Sequence, residues 1–282
     1  MNDERKVALV TGSSTGIGFE ISLALARNGF YTYGTMRNMQ DSNRIMDISK
    51  KEQLPLEVLH LDVNDDKSIL DTINKINEKN QRIDVLVNNA GYALAGPLEG
   101  TSMDEIKAQF ETNFFGAIKV MQSVIPIMRN QKSGRIVNIT SMGGRVAVPL
   151  DSIYHGTKFA LEGVSECIRY ELGPFGIKII LIEPGAVGSN FWKNLKMTSV
   201  SQSPNSPYRQ ILDDISKVFS KMTENVIHPS EVAKVVVDAV TSEDPEFRYV
   251  VGKDANMILD AKKNMSEREY EHFIKEQFNL KY

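Results

Sequence analysis

The chain is poor in the residues that build disulfide scaffolds and metal centres. Its 282 residues include one cysteine, Cys167, and four histidines, His60, His155, His228 and His272. One cysteine excludes an internal disulfide, and the scattered histidines lack ligand spacing, so no metal site is expected. No run approaches the roughly 18 apolar residues of a membrane span. The opening MNDERKVALVTG passes from charge into a short apolar run that Gly12 breaks, too short for a signal segment. The net charge is −3 with no basic tract, which argues against nucleic acid and anionic membrane surfaces as partners. A cytoplasmic protein is the expectation.

What is present is alternation. Seven strand-length apolar runs, at 6–12, 30–36, 56–63, 83–89, 135–141, 177–184 and 248–252, recur along the chain. Most are nearly continuously apolar, as in strands covered on both faces of a parallel sheet. Helical patterns fall between them, at about 16–28, 66–79, 102–130, 153–172 and 229–240. Gly29 suits a helix stop, and Ser102 with Glu105 has capping-box spacing. Pro126 is expected to kink or interrupt its helix. The pattern predicts an α/β, doubly wound, seven-stranded parallel sheet with right-handed crossovers, in one domain. That domain spans 1–253 and carries a polar, loop-rich insertion at 186–228; 254–282 forms a charged helical tail.

The segment TGSSTGIG, residues 11–18, follows the first strand and opens the first helix. Gly12, Gly16 and Gly18 permit a tight turn, close approach of a ligand to backbone, and close helix–strand packing. Free N–H groups at the helix start then favour a pyrophosphate. A second feature lies in SIYHGTK, residues 152–158, where Tyr154 and Lys158 are four apart. At that spacing both lie on one face of a helix. A phenol titrates near pH ~10 in water, and a neighbouring ammonium favours its phenolate, so the pair is expected to act as an acid/base near neutrality. Ser141 ends the fifth strand, at the carboxyl edge where parallel sheets receive ligands. Its hydroxyl can hydrogen-bond a carbonyl oxygen and steady a developing alkoxide.

The spacing G-x3-G-x-G, followed in order by LDV (61–63), NNAG (88–91), TNFFG (112–116), NITS (138–141), YHGTK (154–158) and EPG (183–185), resembles the short-chain dehydrogenase/reductase family over about residues 5–252. YGTMRN and NNAGYALAGPLE are similar to its hydroxysteroid and retinol dehydrogenase branch. The resemblance implies a nicotinamide cofactor on Gly12, Ser14, Thr15, Gly16, Ile17 and Gly18. It further implies that Asp62 and Val63 hold the adenine, and that Asn89, Ala90 and Gly91 line the adenosine ribose. Pro184, Gly185 and Val187 are implied around the nicotinamide, Ser189 at its carboxamide or the diphosphate, and Lys158, beside Tyr154, on its ribose. Asn113 occupies the family's fourth catalytic position, implied to hold a water that relays protons to Lys158. Asn88 is expected to tie neighbouring strands together, and His155 to face the surface or a second subunit. Cys167 is expected as a small core residue.

The cofactor expected is NADP(H) rather than NAD(H). No Asp or Glu occurs between Glu20 and Asp41, so the carboxylate that binds a ribose 2′-hydroxyl is missing, and Arg37 stands past the second strand instead. The implied reaction is hydride exchange between nicotinamide and a carbonyl or alcohol, with Tyr154 as acid/base, Ser141 polarising the oxygen, and Asn113 and Lys158 supporting. A redox sensor or scaffold with little turnover, or epimerisation or dehalogenation on the same fold, are the alternatives. Ala93, Leu94, Met142, Val148, Leu150 and Trp192 are candidate wall residues and favour a hydrophobic small molecule. Family members pair through the helices bearing Asn113 and Tyr154, so a homodimer or homotetramer is expected.

Overall fold

The structure is a computed structural model, and it describes residues 5–189, 195–222 and 226–282, with side chains omitted for 219–222. The first half alternates strand and helix: β1 (Val7–Val10), α1 (Gly16–Arg27), β2 (Tyr31–Met36), α2 (Asn43–Glu52), β3 (Leu56–His60), α3 (Asp66–Asn80) and β4 (Val85–Asn88). A two-residue strand, β5 (Leu94–Ala95), then precedes α4 (Met103–Phe110) and α5 (Gly116–Gln131). Next come β6 (Gly134–Ile139), α6 (Ser152–Leu172) and β7 (Ile177–Pro184). The last part holds β8 (Lys196–Met197), α7 (Ser199–Gln202), α8 (Arg209–Met222), α9 (Pro229–Thr241), β9 (Arg248–Val251), α10 (Lys253–Asn264) and α11 (Glu267–Gln277).

Seven strands pair in parallel in the order β3-β2-β1-β4-β6-β7-β9. The order reverses direction between β1 and β4, which opens a crevice at the carboxyl edge. Apolar side chains cover both faces. Val7, Leu9, Leu86 and Ile136 pack towards α3, α5 and α6, through Ile73, Val120, Val124 and Leu161. Their neighbours Ala8, Val10, Val85 and Val137 pack with Ile21 and Leu25 of α1 and Val232 and Val236 of α9. This two-faced burial explains the continuous apolar runs. Some runs overshoot their strands at the carboxyl end: the ladder of β6 stops at Ile139, while Ser141 stays extended at the crevice edge.

Several local expectations are met with detail. Ser102 and Glu105 form a reciprocal capping box. Asn88 Nδ2 donates to Asn138 Oδ1 at 2.9 Å, and Asn138 Nδ2 donates to Ser165 Oγ at 2.9 Å, tying β4, β6 and α6 together. Others are corrected. α5 runs through Pro126 to Gln131 without a break. Its discontinuity lies earlier, in a π-helical turn over Glu111–Phe115 that joins α4 to α5. Cys167 is exposed on α6, not a core residue. The helix α2 was not anticipated, nor was the two-stranded parallel pair β5–β8, which pins the insertion to the loop after β4.

The tail is part of the same body. Ile258 and Leu259 of α10 and Tyr270 and Ile274 of α11 join Phe278 and Ile215 of α8 around Val146. Met142, Val148 and Leu150 pack against this cluster. The loop after β6 is therefore roofed by the last thirty residues of the chain.

Candidate active site

A cleft of about 830 Å³ lies along the carboxyl edge of the sheet. One end is made by the glycine turn. Gly12 and Gly16 adopt φ +70 and +63, the left-handed region that favours glycine. A Cβ on Gly12 would come within 2.9 Å of Ala90 Cα, and one on Gly16 within 3.1 Å of Ser189 Cβ. Gly18 lies behind the cleft wall, where a side chain would strike Asn89 Nδ2 and the Gly12 carbonyl. Thr11 locks the turn to β4: its Oγ1 accepts the N–H groups of Asn89 and Ala90 at 3.0 and 3.1 Å. Asn89 Nδ2 returns donors to the carbonyls of Thr11 and Gly12, both at 3.0 Å.

The start of α1 has no side-chain cap and no acidic residue in its first turn. Its N–H groups and positive dipole end are open to an anion in the cleft, between Ser14, Thr15, Gly16 and Ile17. Asp62, Val63, Asn89, Ala90 and Gly91 line the same stretch. Arg37 is exposed at its rim and makes no ion pair among the described residues. The donor set therefore fits a dinucleotide, with a cation and no carboxylate following β2. Pro184, Gly185, Val187 and Ser189 also line the cleft, Ser189 against the glycine turn, as does Asp254 of α10. Asp254 Oδ2 accepts the Ala186 N–H at 2.6 Å, and its carboxylate fills the space a side chain on Gly185 would need.

The other end gathers Ser141, Tyr154 and Lys158. Ser141 Oγ caps the turn at 142–144 by accepting the Gly143 N–H at 3.0 Å, and it hydrogen-bonds the Tyr154 phenol. Lys158 Nζ donates to the Ile139 carbonyl at 2.9 Å and stands 5.7 Å from the Tyr154 ring centre. Burial dominates both titrations. It pushes the Tyr154 phenol up to about 12, against the Ser141 hydrogen bond, and Asp151 adds to the rise. It pulls the Lys158 ammonium down to about 8, although Glu162 holds it up. The expected acidic phenol is not what burial gives: desolvation of the phenolate raises it, while the ammonium is held on a backbone carbonyl.

Asn113 is buried in the π-helical turn and does not line the cleft. Its Oδ1 accepts the Tyr92 N–H at 3.0 Å, and its Nδ2 donates to the Tyr92 carbonyl at 2.8 Å and Thr157 Oγ1 at 3.3 Å. The side chain is occupied in pinning the loop after β4 to α6. His155 is corrected from a surface residue to a buried staple. Val148 donates its N–H to Nε2 at 3.1 Å, so Nδ1 carries the proton and donates to the Gly143 carbonyl at 2.8 Å. Burial lowers its pKa, consistent with a neutral ring. One imidazole thereby holds both ends of the 143–148 loop.

The candidate wall residues divide. Ala93, Met142 and Val148 line the main cleft. Leu94 lies in β5 and faces a smaller neighbouring hollow with Leu195 and Met197. Leu150 packs on the tail cluster and accepts the Gly96 N–H through its carbonyl at 2.7 Å. Trp192 lies outside the described residues. Sequence reasoning did not single out Asp151, Asp254 or Phe278 as cleft residues, and all three line it, as do Tyr92 and Lys196 from the loop after β4 and the insertion. It also missed an ion cluster built on two buried carboxylates, Glu162 and Glu183. There Arg248 Nε meets Glu162 and Glu183 at 3.0 and 3.2 Å, and Arg145 meets Glu183 at 3.1 Å. No local motif marks these positions, because each depends on which distant segment folds over the sheet edge.

A parallel sheet with this crevice, a glycine turn at its switch point and a serine, tyrosine and lysine beyond define a dinucleotide-dependent oxidoreductase fold. Residues 6–199 match the short chain dehydrogenase family, and the chain belongs to it. It is 32% identical over 247 residues to a 3-ketodihydrosphingosine reductase of Bacteroides thetaiotaomicron, covering 88% of each chain. It is 34% identical over 262 residues to human 17-beta-hydroxysteroid dehydrogenase type 1, covering 87% of this chain and 77% of that one. Among solved structures, a short-chain dehydrogenase from Streptomyces avermitilis superposes with a TM-score of 0.81 at 29% identity, over 99% of this chain and 100% of that one.

Proposed function

We propose that the protein is an NADP(H)-dependent reductase that converts a hydrophobic ketone or aldehyde to its alcohol, and runs the reverse reaction when driven. The reading is carried by one observation: Ser141, Tyr154 and Lys158 converge at the end of the same cleft whose other end is the uncapped start of α1. Ser14, Thr15, Gly16 and Ile17 would hold the pyrophosphate, and Arg37 the 2′-phosphate, by paired hydrogen bonds from its guanidinium. Asp62 and Val63 take the adenine, Asn89 to Gly91 the adenosine ribose, Pro184 to Ser189 the nicotinamide side, and Lys158 and Tyr154 its ribose. The bound nicotinamide supplies or accepts the hydride.

The chain's own groups manage the proton and the oxygen. Ser141 Oγ donates to the substrate carbonyl and polarises it. A phenol held near 12 is fully protonated at neutral pH, so Tyr154 enters the reduction as the acid and delivers its proton to the developing alkoxide. Lys158, protonated below about 8, replaces the proton charge beside it. Asn113 acts through position, by fixing Tyr92 and Thr157 around the site. The wall of Ala93, Met142, Val148 and Phe278 selects apolar substrates. The names of the reductase and steroid dehydrogenase above fit a ketone of that character. Exposed Phe115 and Phe159, on the helices bearing Asn113 and Tyr154, support pairing of two copies across that face.

The test is a panel of aldehydes and ketones followed at the NADPH absorbance band, then repeated with NADH. Apolar ketones should turn over with NADPH at least tenfold faster than with NADH. Binding of NADPH with no turnover across the panel would favour the sensor or scaffold reading instead.

A further inference from the structure

The cleft contains a carboxylate that the proposed chemistry does not use. Asp151 stands at the N-cap position of α6, three residues before Tyr154, and lines the cleft. Aspartate at that position ordinarily accepts a backbone N–H of the first turn. Here the side chain makes no capping bond. Its Oδ1 is shielded from solvent and has no hydrogen-bond partner. A buried acceptor left in that state costs about 1–3 kcal/mol, more if charged. The chain retains the carboxylate and gains no helix capping from it.

The neighbouring groups cannot satisfy it. The only ring N–H of His155 is given to the Gly143 carbonyl. Lys158 donates to the Ile139 carbonyl, and the carboxylate that bears on its charge is Glu162. Among the described residues Asp151 meets no cation, and burial alone pushes its carboxyl up to about 7. Its charge is nonetheless felt at the Tyr154 phenol, so the two groups share one small volume. At a separation of three helical residues their side chains rise from the same face, about one turn apart.

We propose that Asp151 is a specificity residue that accepts a hydrogen bond from an amine or hydroxyl on the carbon next to the substrate's reacting carbonyl. This rests on the carbonyl-reductase reading of the cleft and narrows its substrate class. A carbonyl oxygen bound between Ser141 and Tyr154 places its neighbouring carbons within reach of the residue one turn away. The rest of the substrate then meets Ala93, Met142, Val148 and Phe278. The substrate is therefore an amphiphilic ketone: a donor beside the carbonyl and an apolar remainder. Above about pH 7, where its carboxyl is ionised, Asp151 can only accept, so in assays at about pH 8 it prefers an ammonium to a hydroxyl and either to hydrogen.

Three ketones of one skeleton test this: methyl nonyl ketone, hydroxymethyl nonyl ketone and aminomethyl nonyl ketone, each with NADPH. The wild-type protein should show kcat/KM about 10–100-fold higher for the donor-bearing ketones than for the parent, the range of a hydrogen bond to a charged group. Asp151→Leu should collapse both ratios towards one. Asp151→Asn, which keeps shape and an acceptor oxygen, should retain the hydroxymethyl preference and lose that for the aminomethyl ketone. Thermal melting of both variants at or above the wild-type value confirms that the side chain is not a structural cap. Equal kcat/KM for the three ketones in the wild-type protein overturns the proposal and leaves the reductase reading standing. So do ratios that survive Asp151→Leu. Failure to bind NADPH in a fluorescence titration contradicts the reductase reading itself.

Discussion

The two ends of the cleft are built by different means. The end proposed to hold the dinucleotide is made of backbone: left-handed glycines, an uncapped helix start, and Thr11 and Asn89 stitching one turn to β4. The substrate end is made of side chains from segments far apart in the chain. The 142–151 loop is held by His155 from below and by α8, α10, α11 and Phe278 from above. Backbone geometry of the first kind tolerates few sequences, whereas apolar packing of the second kind tolerates many of similar volume. One end can therefore stay constant while the other is rebuilt for a new substrate.

The largest separation of the two ends should come from Phe278→Ala. Phe278 is 1% exposed, and truncating a buried phenylalanine costs about 3–5 kcal/mol. The loss should appear as a lower unfolding midpoint and a raised KM for ketone, while NADPH affinity stays within twofold. An equal loss of NADPH affinity would show that the two ends are not independent. Gly18→Ala should do the reverse. Its new Cβ would meet Asn89 and the Gly12 carbonyl, so the turn must shift, at about 1–3 kcal/mol. Isothermal titration should show weakened NADPH binding, with ratios among ketone substrates retained.

Arg37→Asp sharpens the comparison within the dinucleotide end. Replacing a guanidinium by a carboxylate should lower kcat/KM for NADPH by about 10–100-fold and raise that for NADH. An unchanged ratio moves the phosphate site away from Arg37. The smallest effect concerns the loop. Buried neutral His155 titrates below its unfolded value of about 6.5, so the unfolded state binds its proton first as pH falls. The stability it contributes is whole above that pH and declines below it. Replacing His155 by Gln should flatten this part of a pH–stability curve measured by urea titration.

The same division decides what could be read from the chain alone. The sheet, its two covered faces and the tight glycine turn were legible, because continuous apolar runs and the spacing of Gly12, Gly16 and Gly18 report local backbone demands. Ser141, Tyr154 and Lys158 were legible from position: a strand end and one helical face. His155 was misplaced because helical spacing sets it about 100° from Tyr154, while a loop that folds over the helix buries it regardless. Asn113 was legible as a site position, but its bonds to Tyr92 were not, since they depend on a π-helical turn no spacing announced. Phe278 and Asp254 lie in a tail that carries no motif, and their place in the cleft comes from packing over some hundred residues of intervening chain. The titration of Tyr154 was read with the wrong sign because burial cannot be weighed before the pocket is known.

The central claim is that Tyr154 passes its proton to a ketone reduced in this cleft. Single-turnover oxidation of bound NADPH by an apolar ketone, compared between the wild-type protein and Tyr154→Phe, tests it most directly. The account predicts a rate lower by about 10²–10⁴-fold with NADPH affinity preserved. A Tyr154→Phe protein that reduces the ketone at the wild-type rate would contradict it.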